Sequence, residues 1–117
     1  DGNIDMLLGV GGAPEGTITA CATKALGGFM QGRISPQSAP EMQKAIAAGH
    51  DLPRIFEMDD LVASDNPYFV ATGVTDGLLL NGVQKHGQYL TTDSIILRAR
   101  SGTIRRVKAD YLASRWR

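Results

Sequence analysis

The run from Gly9 to Gly16 reads Gly-Val-Gly-Gly-Ala-Pro-Glu-Gly, and its residue types point to anion chemistry. A short, mostly apolar run over residues 4–10 leads into it, and a helical pattern leaves from it. A glycine-rich turn between a strand and a helix start suits a phosphate. The first-turn amides of a helix point outward without partners, and the helix dipole favours an anion there. Yet Glu15 stands in the same turn, where a carboxylate repels a bare phosphate. At about 4 Å, two like charges cost about 1 kcal/mol in water and several times more in a partly buried cleft.

Three glycine-rich chemistries compete for this turn. A dinucleotide fingerprint needs Gly-x-Gly-x-x-Gly, but counting from Gly9 the third position is Pro14. It also needs an acid at the end of the next strand for the ribose hydroxyls, where Ile34-Ser35-Pro36 stands instead. A P-loop needs Gly-x-x-x-x-Gly-Lys-Ser/Thr. Gly11 and Gly16 have the spacing, but Thr17 follows directly and the lysine is absent. The third chemistry uses Glu15. A hard divalent cation takes one or two carboxylates together with phosphate oxygens. Gly11 and Gly12 let the backbone approach the phosphate, and Glu15 faces the same corner as a metal ligand. Spacing alone leaves another reading open, since an acid in the first turn complements the helix dipole with no ligand involved.

The elements that must position this turn follow from pattern. Residues 4–10 suit a short buried strand. Residues 14–26 read as a helix, with Ile18, Cys21, Ala22, Ala25 and Leu26 on one apolar face and Gly27 as its left-handed stop. Residues 29–35 are the next strand candidate. Ser38 with Glu41 predicts a capping box, Pro40 a first turn and Gly49 a stop, with Met42, Ala45 and Ile46 facing inward. A short strand at 54–57, a short helix at 58–63 and a strand at 68–72 follow. Turn signals then cluster at Asp76-Gly77, Asn81-Gly82 and His86-Gly87. Segments 92–99 and 103–108 flank Arg100-Ser101-Gly102 as a β-hairpin. The expectation is one α/β domain over 1–117, with layered helices on a mixed sheet that ends in an antiparallel hairpin.

A length of 117 residues is one domain's worth. No apolar run reaches the roughly 18 residues of a membrane span, and no signal peptide is visible. Cys21 is the single cysteine, which fits a reducing cytoplasm. The chain begins with Asp1 and enters a strand pattern at once, as a piece cut from a longer protein does. Formal net charge is +0, which argues against a general nucleic-acid binder. The charge is uneven, however: Arg98, Arg100, Arg105, Arg106, Lys108, Arg115 and Arg117 face only Asp110 near the C-terminus. Salt-dependent nucleic-acid binding through this basic hairpin is the rival it leaves.

Other residues invite chemistry more weakly. His50 and His86 lack acids or cysteines at ligand spacing and read as surface or helix-end residues. Cys21 reads as a small buried hydrophobe. Arg33 on its strand is a candidate phosphate contact, against a default of solvent exposure. Arg98 and Arg100 alternate with Leu97 and Ala99, so they share one face and stand ready for acids of another domain or subunit. Glu57, Asp59, Asp60 and Asp65 form an acidic patch that a short helix start explains without a cation. Trp116 lies in a tail expected to fray.

The blocks GVGGAPEG, TITACATKALGG and MQGRISP closely resemble class II fructose-1,6-bisphosphatases, the bacterial metal-dependent family. The likeness continues through residues 69–77, Thr91-Thr92-Asp93-Ser94 and Ser101-Gly102-Thr103-Ile104-Arg105. It covers the C-terminal portion of such enzymes. It implies the C-terminal half of the sugar-phosphatase (inositol monophosphatase-like) fold, a cytoplasmic gluconeogenic enzyme and a two-metal hydrolysis using Mg²⁺ or Mn²⁺. Carried over to this sequence, Glu15 is a metal ligand and Gly12 contacts the sugar phosphate, with Gly11, Ala13 and Pro14 shaping the turn. No position matches a general base, so no catalytic residue is assigned. The acidic cluster of the family lies upstream and is absent, so the isolated chain is expected to be inactive. The implied partners are a sugar bisphosphate, the missing N-terminal half and further copies in a homo-oligomer. A non-catalytic phosphate-binding or regulatory module of the same fold is the alternative.

Overall fold

The computed structural model describes residues 6–115. In chain order these form α1 (Ala13–Ala25), α2 (Ala39–Ala47), α3 (Met58–Leu61), β1 (Tyr68–Thr72), β2 (Gln84–His86), β3 (Tyr89–Arg98), β4 (Thr103–Leu112) and a 3-10 turn at Ala113–Arg115. The chain is α/β as expected, but the mixed sheet is not found. Every pairing between its strands is antiparallel among the described residues. The reason is local. Antiparallel neighbours close through short turns, whereas parallel ones need long crossovers.

β3 is the spine of this sheet. β4 pairs with its whole length, from Tyr89↔Leu112 to Arg98↔Thr103. β1 takes half of the opposite edge and β2 the other half. The predicted hairpin is therefore present and longer at both ends. Gly102 turns it with φ 61°, a left-handed conformation that other residues adopt at a cost. The sequence offers no signal for β2 beyond the His86-Gly87 turn, since its three positions carry no apolar alternation. Between β1 and β2 the loop is pinned to β3. Asp93 Oδ2 accepts from the Asn81 amide at 2.9 Å, and Asp76 Oδ1 accepts from the Gly82 amide at 2.8 Å.

One sheet face meets α1. Ile95 and Leu97 of β3 pack with Leu80 and Ala25, bordered by Phe69, Ala71 and Ala22. The expected apolar face of α1 is thus partly right: Ala22 and Ala25 are in it, but Ile18 and Leu26 are more than half exposed. Ala20, outside the expected apolar face, is fully buried. On that side Lys24 Nζ reaches Asp59 at 2.7 Å and the Val62 carbonyl at 2.8 Å. α1 is therefore held by α3 as well as by the sheet.

The helix ends follow their sequence signals. At the end of α1, Gly27 N donates to Lys24 O at 3.1 Å and Gly28 N to Thr23 O at 2.8 Å, closing the last carbonyls as a Schellman motif. Ser38 caps α2 by accepting from Glu41 N at 3.3 Å. The returning contact comes from Gln37 N to Glu41 Oε2 at 2.8 Å, one residue earlier than a capping box has it. The inward face expected for Met42 and Ile46 is exposed, and α2 buries no residue.

Two predicted strands do not form. Residues 29–35 and 54–57 meet at the Gly32–Phe56 bridge and through Gln31 Nε2, which donates to Glu57 Oε1 at 2.7 Å. Residues 6–10 of the expected first strand are coil with no main-chain hydrogen bond among the described residues, while its residues 4 and 5 lie outside the described residues. An apolar run becomes a strand only when a neighbour takes its main-chain groups.

Candidate functional site

Gly12 is the N-cap of α1, with φ −66° and ψ 157°. This backbone is open to any residue, so conformational freedom does not explain the glycine. The Glu15 side chain folds back over Gly12, and a Cβ placed there would meet only Glu15 Oε2 and its carboxyl group, the far end of an exposed, flexible side chain that can swing aside. Ala13 and Pro14 open the helix, and Gly16 N closes its first bond onto Gly12 O at 2.9 Å.

The rest of the turn is unsatisfied. Among the described residues, no main-chain acceptor is bonded to the amides of Gly11, Gly12, Ala13 or Glu15. The Glu15 carboxylate is exposed and makes no hydrogen bond or ion pair there either. Free amides at the positive end of a 13-residue helix accept an anion. A carboxylate with both oxygens free accepts a cation. The turn thus offers both halves of a phosphate–cation contact. Among the described residues no three His, Cys, Asp or Glu side chains gather to hold a metal.

The turn opens onto a groove of about 840 Å³. Met6, Leu8, Val10, Glu15, Phe29 and Met30 are among the residues that line it. Thr19 and Thr23 also line it, but their hydroxyls donate back to the helix, to Glu15 O and Thr19 O at 2.8 Å each.

The weaker candidates find ordinary work. Asp59 pairs with Lys24 and Asp60 with Arg54, at 2.7 and 2.8 Å, and Asp65 pairs with Arg100 at 3.0 Å. The acidic patch is thereby divided among three cations. Arg98 Nε donates to Asn66 Oδ1 at 3.2 Å and its guanidinium lies over the Tyr68 ring, so Arg98 and Arg100 serve this chain's own turn. His86 Nε2 lies 3.2 Å from Gln84 Oε1, and His50 contributes its amide to the end of α2. Cys21 is half-buried against β1. Arg33 is exposed away from the groove, and Trp116 lies outside the described residues. Asp76, in the expected Asp76-Gly77 turn, and Asp93, named within a block of family likeness, are loop braces. The sequence signal for Asp93 is an acid on the same register as the buried Ile95 and Leu97.

Residues 1–111 match the family described as bacterial fructose-1,6-bisphosphatase, glpX-encoded, and the chain belongs to that family. It is 38% identical over 122 residues to a class 2 fructose-1,6-bisphosphatase of Haemophilus influenzae, covering 93% of this chain and 37% of that relative. It is 34% identical over 128 residues to fructose-1,6-bisphosphatase 1 class 2 of Escherichia coli, covering 98% of this chain and 38% of that relative. The chain therefore spans under two fifths of the length of the curated relatives it matches. No helix among the described residues is long and apolar enough to cross a membrane.

Proposed function

We propose that this chain forms one wall of the active site of a metal-dependent fructose-1,6-bisphosphatase. The enzyme removes the 1-phosphate of fructose 1,6-bisphosphate in gluconeogenesis, in the cytoplasm. The observation that carries this reading is the Glu15 carboxylate held free above Gly12, beside unbonded amides, in a chain of this family. Gly11, Gly12 and Ala13 cradle the phosphate through their amides. Glu15 ligates a divalent cation, Mg²⁺ or Mn²⁺, between itself and the phosphate. When bound, such a cation supplies an activated water and neutralises charge on the phosphate oxygens. The remaining ligands come from the N-terminal portion of the enzyme, completing a two-domain sugar-phosphatase (inositol monophosphatase-like) fold that assembles as a homo-oligomer.

The test is phosphate release. This chain alone, given fructose 1,6-bisphosphate with Mg²⁺ or Mn²⁺, should show no turnover. Co-expressed with the N-terminal portion of the Haemophilus influenzae relative, it should release phosphate, and a chelator should stop it. Turnover by the 117-residue chain by itself, lost in Glu15→Gln, overturns the shared-site reading. Phosphate binding without hydrolysis in the completed assembly would instead assign a non-catalytic module.

A further inference from the structure

Asn81-Gly82 marks a turn, and the same pair carries a reactivity of its own. Asparagine is thermolabile, and before glycine it reacts fastest, because no side chain on the next residue blocks the approach. The glycine main-chain nitrogen attacks the carboxamide carbon. The N–Cγ bond forms as the Cγ–Nδ2 bond breaks, and ammonia leaves with the proton of the glycine amide. Water then opens the resulting succinimide at either carbonyl, leaving aspartate or isoaspartate at position 81. The sequence of steps is redox-neutral and uses only water. An unfolded chain offers the two reacting groups freely.

The loop over residues 73–83 holds them apart. The attacking group, Gly82 N–H, donates to Asp76 Oδ1 at 2.8 Å, and Gly82 is buried. Attack needs that nitrogen without its proton, and a carboxylate against it opposes the negative charge so created. The carboxamide belongs to a different acid. Asn81 Nδ2 donates to Asp93 Oδ2 at 3.2 Å, and the same oxygen accepts from the Asn81 main-chain N at 2.9 Å. The peptide between the two residues is confined on both sides. A Cβ built on Gly73 would collide with the Asn81 carbonyl oxygen, and one built on Gly82 would lie 2.7 Å from Thr75 Cα. Main-chain bonds close the loop, from Gly77 N to Leu80 O at 2.9 Å and from Val83 N to Val74 O at 3.3 Å. Swinging Gly82 N toward the carboxamide therefore means giving up Asp76 and moving a peptide that Gly73 and Thr75 hem in.

We propose that Asn81 is a deamidation site locked by Asp76 and Asp93, which reacts only when the 73–83 loop opens. Asn81 itself is exposed, so water is at hand for the second step. Conversion then keeps the loop open. A carboxylate at position 81 replaces the donor that faces Asp93 Oδ2 with a like charge, and the pin between the loop and β3 is lost. The inference is independent of the proposed function.

The test is the rate of conversion at position 81, read by peptide mapping and mass spectrometry on the 117-residue chain held at neutral pH. The native chain should convert on the order of a hundredfold more slowly than the same chain in guanidinium chloride, because attack waits on local opening. Asp76→Ala frees the nucleophile and should speed native conversion roughly ten- to a hundredfold, the worth of one hydrogen bond to a charged group. Asp93→Asn leaves the Gly82 contact in place and should speed it by less. Asp65→Asn, whose ion pair with Arg100 lies outside the loop, should leave it unchanged. Native conversion at the denatured rate overturns the proposal with no variant needed, so the test survives a variant that fails to fold. An unchanged rate in Asp76→Ala with intact circular dichroism overturns it as well.

Discussion

Residues 68–112 and residues 6–35 of the same chain reach opposite ends. In the first region β3 pairs on both edges, and Ile95 and Leu97 are 4% and 3% exposed where α1 of the second region covers them. Outside that contact the second region presents a helix start and a carboxylate to solvent, and Met6, Leu7, Leu8, Val10 and Phe29 are exposed. The contrast shows where each region's partners lie in sequence. The sheet's partners follow within a turn's length, so the hairpin satisfies itself. Residues 6–10 have no main-chain partner among the described residues, and 29–35 has only the Gly32–Phe56 bridge. The radius of gyration, 18.1 Å against roughly 13 Å for a compact chain of this length, reflects that asymmetry.

The largest effect that sharpens the comparison is in the closed region. Leu97→Ala should lower the stability of the isolated chain by about 2–5 kcal/mol in denaturant unfolding, through lost burial and a cavity. The matched change in the open region, Leu8→Ala, should move it by less than about 0.5 kcal/mol, because 83% of Leu8 is already in water. A large loss from Leu8→Ala would show that residues 6–10 are packed. Next, Glu15→Gln should leave unfolding unchanged and cut phosphate release by the completed assembly on the order of 100-fold or more, beyond the effect of residues that only orient ligands. Ser38→Ala removes the cap of α2 and should cost about 1 kcal/mol, read as lost helicity by circular dichroism. The smallest effect should come from Asp65→Asn. Its ion pair with Arg100 is exposed on both sides, at 83% and 61%, so the change should stay under about 1 kcal/mol and fade with salt.

Much of this was legible in residue patterns. Gly27, Gly49, Ser38 and the Arg100–Gly102 turn placed helix ends and hairpin, because caps and tight turns are decided by a few adjacent residues. The Glu15 turn is a helix start for the same reason, with Gly12 as its N-cap. The segments 29–35 and 54–57 misled because alternation reports a tendency to be covered, not the presence of a cover. The burial of Ala20 was not legible, because it depends on α3 packing beside Lys24. β2 carries too little apolar content to announce itself.

The central claim is that Glu15 holds a cation in a site shared with the N-terminal portion of the enzyme. Phosphate release from fructose 1,6-bisphosphate by the completed assembly, with Mg²⁺ or Mn²⁺, tests it most directly when Glu15 and Glu15→Gln are compared at equal complex content. The account predicts cation-dependent release that falls on the order of 100-fold in the variant. Equal release by the two would contradict it.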